Sequence, residues 1–139
     1  MRFLISFTAA AALSALAVVG ANAQREPARG SVEAKAAAEY RQLLAGKTPG
    51  KPETCIDTRF NNPRLTAYDG KLIYRVSSKL VYVSDTGGGC SNVARGDTLV
   101  TRQYQGRLCR GDIAQTVNLP IGMPTGSCAM GDFIPYRSK

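Results

Sequence analysis

Apolar positions along the chain fall into three patterns. From Phe3 to Gly20 they run almost unbroken, behind Met1-Arg2 and ahead of Ala21-Asn22-Ala23. A basic start, an apolar stretch and a small-x-small site are the parts of a secretory signal, so residues 1–23 are expected to be cleaved off. Over "SVEAKAAAEYRQLLAGK" the spacing becomes helical, with Val32, Ala36, Tyr40, Leu43 and Leu44 on one face. Ser31 as N-cap, Glu33 in the first turn and Gly46 just past the end bound a helix of about 31–45, expected to cover one side of a sheet. "QREPARG" at 24–30 reads as a flexible tail, and "GKTPGKPETC" at 46–55 as a Pro/Gly hinge.

From Cys55 onward the alternation is of period two. Arg64–Tyr68 and Lys71–Val76 flank Asp69-Gly70, a pair suited to a type I′ hairpin because both central residues need positive φ. Leu72, Tyr74 and Val76 share a face of the second strand. Further strands are expected at Lys79–Ser84, Thr98–Tyr104, Ile113–Leu119 and within "AMGDFIPY", where Pro135 marks an edge or an end. This pattern predicts a mainly β fold, a small antiparallel β-barrel or sandwich with one N-terminal α-helix. Residues 31–139 form one domain in this reading, with the β-region at about 54–137.

The cysteines add covalent staples. Cys55, Cys90, Cys109 and Cys128 contain no C-x(2–4)-C pair and the chain has no histidine, so no metal site is expected and two disulfides are. Of the three possible pairings, Cys55 with Cys128 and Cys90 with Cys109 is the expected one, tying the first strand to the last. The lack of histidine also removes Ser-His-Asp, Cys-His and His acid–base chemistry.

Charge then points to a class of partner. The chain holds 18 Lys+Arg against 10 Asp+Glu, net +8, or 17 against 10, net +7, once Arg2 leaves with the signal. The cations are scattered rather than clustered, and an exported chain would meet anionic envelope polymers, lipid headgroups or another envelope protein before nucleic acid.

"LVYVSDTGGG" carries the Asp85-Thr86-Gly87 triplet of an aspartic protease, whose mechanism needs two carboxylates sharing a proton. Polar Ser84 before it, Cys90 after it and the lack of a matching apolar-apolar-Gly segment favour a hairpin turn. Nothing in the sequence pairs two of its Asp residues as a glycosidase would require. The Arg-Gly-Asp steps at Arg95-Gly96-Asp97 and Arg110-Gly111-Asp112 each precede a strand and read as turns.

"LLAGKTPGKPETCI", "RLTAYDGKLIYRV", "KLVYVS" ahead of Cys90, "LCRGDI" and "GSCAMGDFIPY", over residues 43–136, resemble a family of small exported proteobacterial proteins, a domain of unknown function. The resemblance implies a single exported domain with paired cysteines and carries no activity or cofactor. This chain has Ser91 where members of that family often have Pro. The expectation is thus a periplasmic or extracellular, non-catalytic binding or envelope-associated protein, with no catalytic residue or cofactor assigned. The alternatives are an inhibitor-type loop binder, through the Gly-rich 85–91 loop or the "NLPIGMPTGS" loop at 118–127, and an Asp-based hydrolase.

Overall fold

The computed structural model of the protein describes residues 29–59 and 63–139. The expected signal at 1–23 and tail residues 24–28 lie outside them. Helix α1 covers Arg29–Leu44. It begins two residues earlier than the Ser31 cap implies, which places Ser31 inside the first turn and takes Arg29 and Gly30 out of the tail. The first amides of any helix lack intrahelical acceptors, so a serine suits the first turn as well as the cap. At the other end Gly46 takes the left-handed conformation expected of it (φ 68°), and the Lys47 ammonium donates to the carbonyl of Leu43 at 2.7 Å, satisfying a terminal acceptor.

The strands are β1 (Thr48–Pro49), β2 (Cys55–Asp57), β3 (Arg64–Tyr68), β4 (Lys71–Arg75), β5 (Leu80–Asp85), β6 (Thr98–Thr101), β7 (Arg107–Cys109), β8 (Ile113–Asn118), β9 (Met123–Ala129) and β10 (Phe133–Arg137). They form a five-stranded antiparallel sheet in the order β1-β10-β5-β4-β3, a pair β2-β7 and a three-stranded sheet β6-β8-β9. The sheets stack in a sandwich-like way without closing into a barrel.

The Asp69-Gly70 turn forms as its residues predict, with φ of 48° and 72° and Tyr68 opposite Lys71. That turn fixes register, and register fixes faces. Ile73, Val81 and Val83 point to the helix and pack with Tyr40, Leu43, Leu44, Tyr68 and Tyr136. Leu72, Tyr74, Ala67 and Phe133 point the other way, into a core shared with Ile56, Leu108, Ala114, Cys90, Cys128 and Met130 from the smaller sheets and their connections. The large sheet is therefore covered by the helix on one face and by the two small sheets on the other.

Four expectations need correction. The 46–55 hinge is tied down: β1 pairs with Tyr136 and Arg137, the Gly50 amide donates to the Pro135 carbonyl at 2.7 Å, and Glu53 exchanges two bonds with Phe133. Pro135 lies in mid-strand instead of at an end, because its missing N–H faces that irregular segment while its neighbours pair with β5. The "NLPIGMPTGS" segment is not a loop throughout, since β9 starts at Met123 and pairs along β8. Its Pro124 and Gly126 depress strand propensity, which β9 tolerates as the outer strand of its sheet. The cysteines pair as Cys55–Cys109 and Cys90–Cys128, not in the nested arrangement. Tyr104 and Arg107 form a tight reversal through Gln105 (φ 56°) and Gly106 (φ 70°), which turns β7 away from β6 and onto β2 with Cys55 opposite Cys109.

Burial of the Tyr74 ring predicts a pH response. Its hydroxyl touches the Met130 sulfur at 3.5 Å, and desolvation pushes its pKa well above the ordinary tyrosine range. Folding thus favours the protonated phenol. The stability it contributes is complete below about pH 10, the unfolded-state value, and falls as pH rises above it. Tyr74→Phe is expected to move the alkaline unfolding midpoint to higher pH in a circular dichroism titration while altering stability at neutral pH by no more than about 1 kcal/mol. An unmoved alkaline midpoint would contradict this assignment.

Candidate functional site, a basic groove beside the helix

On the helix-facing side of the large sheet, Arg64 and Arg75 stand directly opposite each other. The equal number of residues on each side of the Asp69-Gly70 turn, five in β3 and five in β4, sets that pairing. Like charges in this position repel, by roughly 0.2–1 kcal/mol relative to neutral pairs. Neither forms an ion pair among the described residues. They share a groove of about 570 Å³ with Lys35 and Lys47 from the helix side and with Ser77 and Ser78 from the β4–β5 turn. Ser77 holds that turn by accepting from the amides of Lys79 and Leu80 at 3.2 and 3.1 Å. Leu43 and Val81 supply the apolar floor.

Four cations thus converge against one carboxylate, Glu39, which accepts a hydrogen bond from Thr66 at 3.4 Å. Four other acids are occupied elsewhere. Asp57, Asp69, Asp132 and Glu53 pair with Arg59, Lys71, Arg110 and Arg137. Hydrogen bonds from the Arg59 amide and guanidinium hold the Asp57 carboxyl below its usual range, and its bond to Asp69 raises the Lys71 ammonium. The groove is left with an excess of positive charge on a fixed hairpin, an arrangement able to hold an oxyanion such as a phosphate, sulfate or carboxylate. A second hollow of about 410 Å³, beside the N-terminal half of α1, is lined by Glu33, Asp69 and Arg95 and so lacks a single sign of charge.

The residues singled out from the sequence lie away from the groove and act as turn formers. Asp85 accepts from the Gly87 amide at 2.9 Å, and Thr86 donates twice to the Gly70 carbonyl, at 2.9 and 2.8 Å. The turn is not a hairpin, however. It leads into a 3₁₀ helix at Ser91–Arg95 and crosses to the β6-β8-β9 sheet. The 85–91 loop is also pinned along its length: a Cβ on Gly89 would overlap the Ser127 carbonyl, and one on Gly126 would overlap that of Gly89. Gly96 and Gly111 adopt φ of 98° and 87°, and Asp112 accepts from the Cys109 amide at 2.7 Å, so both Arg-Gly-Asp steps are turns. All four cysteines are in disulfides.

Along the sequence the cations are scattered, and the fold gathers four of them in one groove. One signal was present: Arg64 and Arg75 lie symmetrically about a turn whose type sets the register. The approach of Lys35 and Lys47 depends on how the helix docks, which no local pattern encodes. Compared with protein-family models, with curated proteins and with solved structures, the chain matches none.

Proposed function

We propose that the protein is an exported, non-catalytic binding module that holds anionic groups of an envelope polymer in the groove between α1 and the large sheet. The observation that carries this reading is the opposition of Arg64 and Arg75, without ion-pair partners among the described residues, in a groove shared with Lys35 and Lys47. A bound oxyanion would convert their mutual repulsion into attraction. Two disulfides suit an oxidising environment, and the signal-like residues 1–23 support export.

Removing both guanidinium charges, as Arg64→Gln with Arg75→Gln, is expected to weaken binding to polyphosphate and dextran sulfate at least about tenfold. Affinity should also fall steeply with salt. Arg95→Gln with Arg102→Gln removes the same net charge elsewhere and should leave affinity within about twofold. Titration calorimetry reads both, and equal losses from the two pairs would refute the groove as the site.

A further inference from the structure

Every large hydrophobic side chain exposed among the described residues belongs to the β6-β8-β9 sheet, its β8–β9 turn or the segment that follows β6. Val100 lies in β6 and Ile113 in β8, Met123 begins β9, Leu119 and Ile121 form the β8–β9 turn, and Tyr104 follows β6. Leu119, Ile121 and Met123 are 60–65% exposed on that turn. From 113 to 131 the sequence contains no charged residue. The two acids flanking this stretch are engaged, Asp112 with the Cys109 amide and Asp132 with Arg110, and Asp97, beside it in space, accepts from Asn118 (3.2 Å) and Thr125. The charge beside the apolar hollow of Val100 and Ile113 is a cation, Arg102, which has no ion pair among the described residues.

The tip is held ready. The Gly122 amide donates to the Asn118 carbonyl at 2.8 Å, the Asp97 carboxylate ties the two strands at their base, and Cys128 anchors β9 to Cys90. An exposed apolar surface held in one conformation marks an interaction site, because little entropy is lost when it is covered.

We propose that the β8–β9 tip inserts into the interface of an anionic lipid bilayer. Interfacial binding combines buried apolar area with attraction of positive charge to anionic lipid, and the chain supplies both, at a net charge of +7 once residues 1–23 are removed. A second copy would bring the same excess of positive charge. A protein interface draws its strongest anchors from Trp, Tyr and Arg, and the tip itself, residues 118–123, contains none of them, Tyr104 and Arg102 lying outside it. Three side chains resemble a single acyl chain in giving marginal, reversible binding, so the electrostatic contribution is required.

The chain has no tryptophan, so Ile121→Trp introduces a single emitter at the tip. In the full chain, phosphatidylglycerol vesicles are expected to shift its emission to the blue, and acyl-chain bromines to quench it. Ala34→Trp on the exposed side of α1 should show neither effect. The triple change Leu119→Ser, Ile121→Ser, Met123→Ser should lower partition at least about tenfold with unchanged circular dichroism and thermal midpoint, and phosphatidylcholine vesicles should bind the parent chain more weakly. An unshifted Ile121→Trp emission, an equal shift at Ala34→Trp, or equal partition of the triple variant overturns the proposal. A blue shift that grows with protein concentration without lipid assigns the tip to a second copy instead, and equal binding to phosphatidylcholine removes the anionic surface as its target.

Discussion

Replacing Cys90 and Cys128 together by alanine is expected to lower the unfolding free energy by about 4 kcal/mol. The bridge spans 38 residues, and loop closure alone gives nearly that figure for a loop of this size. Cys55–Cys109 spans 54 residues and has a similar entropic value, about 4 kcal/mol. Their surroundings differ. Cys90 and Cys128 are 0% and 8% exposed inside the main core, so alanine there also removes packed sulfur, whereas Cys55 and Cys109 are half-buried. The Cys90/Cys128 pair should therefore cost more, despite its shorter loop. Denaturant unfolding of the two double variants checks the order. A larger loss from Cys55→Ala with Cys109→Ala would show that loop length outweighs core packing.

Phe133→Ala should cost about 3–5 kcal/mol. The ring is fully buried, meets Tyr74 edge-on with centroids 5.9 Å apart, and begins the strand that pairs with β5. Its backbone also exchanges both hydrogen bonds with Glu53, so one residue organises the core and the end of the former hinge segment. Ile134→Ala, one position along on a half-buried site, should lose much less. Comparable losses in a urea titration would indicate that strand propensity, not the packed ring, sets the cost.

Much of this fold is legible in the sequence, for reasons that can be located. The helix announces itself through Val32, Ala36, Tyr40, Leu43 and Leu44, and its packing on Ile73, Val81 and Val83 follows from that face. Asp69-Gly70 sets a turn, the turn sets a register, and the register sets two faces of β4. Where local propensity and tertiary placement disagree, reading fails. Pro124 and Gly126 hide β9, and Pro135 sits in β10 because only one side of that strand needs donors from it. The cysteine pairing was beyond sequence because it depends on β7 leaving β6 for β2. Of the candidate site, the arginine pair could be read from the hairpin, while the lysines required the docked helix.

The order of the cysteines has a consequence for how the chain matures. Cys55 and Cys90 are synthesised first and are not native partners, since each waits for a cysteine from the other half, Cys109 and Cys128. Under oxidising conditions, the first pair of thiols available to react as the chain is made is a wrong one. Neither correct link can close before Cys109 appears, and the second must wait for Cys128. Correct oxidation thus demands either that Cys128 be available before the thiols react or an exchange step that undoes an early Cys55–Cys90 bridge. The yield of native protein should accordingly depend on a disulfide isomerase more than on an oxidase.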